Sequence, residues 1–106
     1  MDVNDRIKEA IESNPVVIFM KGSPDMPQCG FSMQTVQALK ACNVEFAYVD
    51  VLADPEVRSG LKSYSNWPTF PQLYINGELI GGCDIVLDLF QKGELQPMVQ
   101  EAVSTE

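Results

Sequence analysis

The sequence predicts an α/β fold with a central four-stranded mixed sheet flanked by helices. Three observations predict it. Short apolar runs alternate with segments of helical period along the chain. The first two runs, 16–20 and 45–51, are separated by a helical stretch, which makes those strands parallel with a right-handed connection. The last two, 72–75 and 78–81, are joined by Asn76-Gly77, a type I′ hairpin signal, which makes them antiparallel. At 106 residues the expectation is one domain over 1–106, long enough for one core.

In residues 2–13, Val3, Ile7, Ala10 and Ile11 share one helical face, and Asn14-Pro15 ends that helix. The run VVIFM (16–20) is wholly apolar and reads as a buried central strand. KGSPDMPQ (21–28) is a loop. From Gly30 to Cys42, Phe31, Val36, Leu39 and Cys42 recur at helical spacing, and EFAYVDV (45–51) is the next strand. Asp54-Pro55-Glu56 is a helix start, combining a capping carboxylate, proline in the first turn and an acid beside the dipole. That helix runs to about Tyr64 with Val57, Leu61 and Tyr64 inward, and SNWPTFP (65–71) breaks it. After the hairpin, Gly81-Gly82 permits a bend, Asp84 caps a helix over 85–92, and Gly93 stops it. A last amphipathic helix over 94–103 buries Leu95, Met98, Val99 and Ala102.

Composition excludes several function classes. Fifteen acids against seven bases give a net charge of −8, which argues against a nucleic-acid backbone binder. No apolar run approaches the ~20 residues of a membrane span, and the acidic, amphipathic N-terminus does not read as a signal peptide, so the expected compartment is the cytosol. There is no histidine, which removes the usual zinc sites, Ser-His-Asp and Cys-His catalysis, and imidazole proton shuttles. Three cysteines cannot supply four thiolates, so an iron–sulfur cluster held here must borrow ligands.

The stretch Cys29-Gly30-Phe31-Ser32 stands where a dithiol redox motif would read Cys-x-x-Cys. A thiol between a loop and a helix start feels the positive helix end and free backbone N–H groups, which favour the thiolate; Lys21 can add positive charge. A free cysteine is more commonly a small buried hydrophobe, but the loop setting of Cys29 argues for chemistry. Ser32 cannot form a disulfide, so dithiol exchange inside the motif is excluded. Cys42 lies thirteen residues along the same helix, about 20 Å away. That exceeds the ~7 Å a disulfide spans, so Cys42 reads as core. Cys83 sits at a bend and cannot be placed against Cys29. In WPTFP (67–71), a cis bond before Pro71 would leave backbone free to pair with a bound peptide, and an ordinary proline turn fits equally. GGCD (81–84) reads either as a backbone anion nest or as a plain loop-to-helix junction.

Cys29-Gly30-Phe31-Ser32, WPTFP and GGCD, in this order on this strand pattern, resemble the CGFS-type monothiol glutaredoxins in their short bacterial form, over essentially the whole chain. The eight residues from Lys21 to Cys29 resemble the family's long loop. The resemblance implies a thioredoxin-like fold and a glutathione site. Lys21 and Arg58, with Lys62 as a weaker candidate, would face the glycine carboxylate. Thr69 and Phe70, ahead of cis-Pro71, would pair with the peptide backbone. Gly82, Cys83 and Asp84 would hold the γ-glutamyl end, and Trp67 would pack beneath the loop. It further implies a [2Fe–2S] cluster shared by two subunits, ligated by two Cys29 thiolates and two glutathiones, and passed to apo iron–sulfur proteins. A BolA-type protein would replace one subunit in a heterodimer. Two rival readings remain: a glutathione-dependent oxidoreductase that deglutathionylates proteins through Cys29, and an iron-responsive adaptor acting through cluster-dependent partner choice. No nucleic-acid or membrane partner is expected.

Overall fold

All five residues of β1, Val16–Met20, are buried, and the other elements pack around them in the computed structural model, which describes residues 2–104. The sheet order is β2-β1-β3-β4, with β2 Ala47–Asp50, β3 Gln72–Ile75 and β4 Glu78–Gly81. β1 runs parallel to β2 and β3 is antiparallel to β4, as the connections predict, and the structure adds that β1 is antiparallel to β3. The helices are α1 Val3–Glu12, α2 Gly30–Ala41, α3 Pro55–Ser65, α4 Cys83–Gln91 and α5 Leu95–Ser104.

Side chains along a strand alternate between faces, so β1 feeds two cores. Val16, Ile18 and Met20 join Val36 and Leu39 of α2, Val86 of α4, and Leu95 and Val99 of α5. Val17 and Phe19 join Ile7 and Ile11 of α1, Val57 and Leu61 of α3, and Tyr74 of β3. The Phe19 and Tyr74 rings meet edge to face at 5.5 Å. Helices therefore cover both faces of β1, which explains why its sequence is apolar without alternation. On the second face α1 and α3 approach closely across Gly60, where an added Cβ would lie 3.1 Å from Val3. Asp54 caps α3 as expected: it accepts from the Val57 N–H (3.2 Å) and from Arg6 of α1 (3.0 Å).

Four local expectations need correction. β2 begins at Ala47, not Glu45; in its register with β1, Glu45 would face Pro15, which has no N–H to donate. Phe31 does not join the core face of α2 and is 60% exposed. Stepping back from Val36 and Leu39 by whole helical turns leads to Ser32 and Thr35, both buried, so Phe31 falls to the side. Tyr64 is 44% exposed in the last turn of α3, where Leu61 is the last apolar side chain of the core. Finally, Asp84 does not cap α4. The cap is the extended Gly82, which makes no side-chain cap hydrogen bond, and Asp84 lies inside the first turn.

The two acids therefore differ in what they support. Asp54→Ala is expected to cost about 0.5–2 kcal/mol, the value of a lost N-cap. Asp84→Ala is expected to cost no more than the ~0.3–1 kcal/mol of a charge beside a helix dipole. Urea denaturation of the two variants checks the order.

Candidate functional site

Cys29 is the extended residue that caps α2, with φ −152° and ψ 137°, and its side chain makes no capping bond of its own. Its sulfur lies instead in the field of the backbone N–H groups at the head of α2. The Ser32 backbone N–H holds the Cys29 thiol below its ordinary pKa; partial burial opposes this, and the Phe31 N–H, the Lys21 charge and the Ser32 side chain reinforce it. Cys29 is half-exposed. Cys42 is fully buried, and burial pushes its thiol up. The buried Cys83 directs its thiol to the Gln34 side chain of α2 at 3.6 Å.

The loop that delivers Cys29 is fastened at its root. The Lys21 N–H donates to the Ser32 hydroxyl (3.1 Å), and the Gly22 N–H donates to Asp50 Oδ1 (3.0 Å). The Gln28 N–H returns to the Lys21 carbonyl (2.9 Å), and Gly22 forms a bridge with Pro27. Gly22 is at φ +93°, and a Cβ there would lie 2.5 Å from the Met26 carbonyl oxygen, so this turn requires glycine.

A groove of about 620 Å³ opens beside the thiol, and it brings together all ten residues singled out from the sequence. Lys21, Cys29, Arg58 and Lys62 line it with Thr69, Phe70, Pro71, Gly82, Cys83 and Asp84; Phe31, Trp67, Pro68 and Ile85 complete the lining. The Phe70-Pro71 bond is cis. Among the described residues, side-chain ion pairs engage Arg6, Lys40 and Lys92, whereas Lys21, Arg58 and Lys62 form none. Three cations and the uncapped N-terminus of α4 thus share one cavity, an arrangement suited to a small molecule with carboxylates. No group of three or more His, Cys, Asp or Glu side chains able to hold a metal occurs among the described residues. Among the cysteines of the described residues, Cys42 and Cys83 are buried and Cys29 alone is partly open to solvent.

Sequence reasoning missed three supports of this groove. Gln72 is fully buried, donates to the Trp67 (2.9 Å) and Thr69 (3.2 Å) carbonyls, and accepts from the Tyr74 hydroxyl (3.2 Å). Its signal was a polar residue opening a wholly buried strand. Asp50, at the end of β2, carries no local signal of its role. Trp67 does more than pack: it lines the groove, and its indole N–H is buried without a partner, 3.6 Å from where a Cβ on Gly82 would sit.

Comparison with known proteins places the chain. The family profile described as Glutaredoxin matches residues 16–80. Glutaredoxin 4 of Buchnera aphidicola subsp. Baizongia pistaciae is 57% identical over 98 residues, covering 92% of this chain and 91% of that protein. Glutaredoxin 4 of Escherichia coli (strain K12) is 54% identical over 100 residues, covering 94% and 87%. The solution structure of reduced poplar apo GrxS14 superposes with a TM-score of 0.81 at 49% identity, over 96% of this chain and 94% of that one. The holo form of glutaredoxin C1 from Populus tremula x tremuloides gives 0.84 at 30% identity, over 95% and 89%.

Two of the three thiols, Cys29 and Cys42, should separate on alkylation. Cys29, with its pKa lowered, is expected to react with iodoacetamide with a pH midpoint below that of a free cysteine. Cys42 is expected to react only on unfolding. Mass mapping of protein alkylated across pH checks both.

Proposed function

This chain belongs to the glutaredoxin family, as a CGFS-type monothiol member with the thioredoxin-like fold, and from that premise we propose that it binds glutathione and carries a glutathione-ligated [2Fe–2S] cluster between two subunits. The observation that supports this reading best is one half-exposed thiol in a groove with three unpaired cations and an uncapped helix N-terminus. The groove fits glutathione chemically, since that peptide carries a carboxylate at each end and a thiol between them. Lys21, Arg58 and Lys62 would take the glycine carboxylate, the Thr69-Phe70 backbone ahead of Pro71 would pair with the peptide, and Gly82, Cys83 and Asp84 would hold the γ-glutamyl end. Bound glutathione supplies the second sulfur that each chain lacks.

Two chains then supply two Cys29 thiolates and two glutathione sulfurs, which complete four ligands. Ser32 removes the thiol that would otherwise oxidise Cys29 intramolecularly. Because half of the ligands are not covalently part of the protein, the cluster is cargo that can be surrendered to apo iron–sulfur proteins. A BolA-type protein would stand in for one subunit in an alternative complex. We assign the activity to one domain spanning 1–106 and to the cytosol; no helix among the described residues is long and apolar enough to cross a membrane.

The depressed Cys29 pKa also favours a second reading, reduction of glutathionylated proteins. There the Cys29 thiolate attacks the glutathione sulfur of a mixed disulfide, the protein thiol leaves, and a second glutathione resolves the adduct as oxidised glutathione. Turnover of a glutathionylated substrate by the apo protein separates this activity from cluster transfer.

Anaerobic reconstitution with iron, sulfide and glutathione, followed by native mass spectrometry, is expected to give two chains, one cluster and two glutathiones. Cys29→Ser is expected to abolish cluster binding and Cys42→Ser to preserve it. A fully loaded single chain, or a loaded dimer without glutathione, would overturn the mechanism. Arg58→Ala is expected to weaken glutathione by about 1–3 kcal/mol, read by titration of Trp67 fluorescence, since Trp67 is the chain's one tryptophan and lines the groove.

A further inference from the structure

We propose that Asp50 is a positioning residue for the reactive thiol: through one carboxylate oxygen it holds the root of the 21–28 loop and thereby fixes Lys21 against Cys29. Asp50 ends β2 and pairs in register with Met20, the last residue of β1. Its Oδ1 accepts the Gly22 N–H at 3.0 Å and the Leu52 N–H at 2.9 Å. Residues 21 and 22 are thus held by different elements, Lys21 by Ser32 of α2 and Gly22 by Asp50 of β2.

The other external tethers of the loop are slight. Lys40 reaches the Pro24 carbonyl at 3.4 Å and Asp25 at 3.9 Å, and Asp25 is 96% exposed. The Ser23–Met26 bonds lie within the loop and do not anchor it. Gly22 is buried, so without Asp50 its N–H would be left unsatisfied unless the backbone shifted to reach water. Glycine offers little resistance to such a shift. The shift would act on both neighbours that matter: Lys21 precedes Gly22, and the loop ends at Cys29. Asp50 itself does not line the groove, so its effect on the thiol passes through the loop.

The proposal rests on Cys29 being the working thiol, but its test uses neither glutathione nor a cluster, so its failure is separate from failure of the carrier reading. The apo protein is alkylated at neutral pH with iodoacetate and with iodoacetamide, and the ratio of the two rates at Cys29 is taken. A nearby Lys21 favours the anionic reagent, and Lys21→Ala sets the floor of the ratio. Asp50→Ala is expected to lower the ratio several-fold toward that floor. Asp50→Asn, whose amide oxygen can accept the same two N–H groups, is expected to stay within twofold of wild type. Loss of a negative charge alone would raise the ratio in both variants, and that result overturns the proposal. An unchanged ratio in a natively folded Asp50→Ala protein overturns it as well. Should Asp50→Ala fail to fold, hydrogen exchange in the wild type decides: the Gly22 amide is expected to exchange at least tenfold more slowly than the amides of Asp25 and Met26, and equal rates overturn the proposal.

Discussion

A hydrogen bond of 3.1 Å from the Lys21 backbone N–H to the Ser32 hydroxyl joins the end of β1 to the first turn of α2, and the site depends on it. Ser32 is fully buried, so its hydroxyl has no water to turn to, and the Lys21 amide is its partner. The junction fixes where α2 begins, and that start presents the Ser32 and Phe31 N–H groups to the Cys29 sulfur. It also keeps the Lys21 charge close enough to favour the thiolate. Serine at position 32 therefore does two things at once. It denies Cys29 a disulfide partner, and its oxygen accepts a backbone N–H far better than a thiol would.

The charge distribution gains a local meaning beside this junction. A chain of net charge −8 repels polyanions as a whole. Among the described residues, four ion pairs occupy Arg6, Lys40 and Lys92 away from the groove, while Lys21, Arg58 and Lys62 line it without carboxylate partners. The α4 N-terminus adds free donors because Gly82 offers no capping side chain. An acidic protein thereby keeps one cavity attractive to a small anion, and its walls limit what can enter.

The turn at 65–71 shows how a buried polar residue shapes such a cavity. Gln72 satisfies the Trp67 and Thr69 carbonyls from beneath, and the Tyr74 hydroxyl satisfies Gln72 in turn. The chain can therefore run across the groove wall without unpaired carbonyls at these positions. The Trp67 indole N–H is the exception, and it lies against Gly82, where the lack of a side chain leaves room.

The sequence by itself determined the order of the elements, the directions of the β1–β2 and β3–β4 pairs, and which thiol stands at the head of a helix beside a serine. Each is written in a few adjacent residues: the apolar run of β1, the Asn76-Gly77 turn, Asp54-Pro55 at the head of α3, and Cys29 beside Ser32. The resemblance to a family also named ten of the fourteen residues that line the groove. Tertiary structure alone decided that Phe31 and Tyr64 stay exposed, that Gly82 and not Asp84 caps α4, that Cys83 meets Gln34, and that Asp50 holds Gly22. The last two contacts join residues 49 and 28 positions apart. Helical period and capping preference act over one or two turns, whereas these contacts exist only once the sheet has set the distance between its own edges and the helices that cover it.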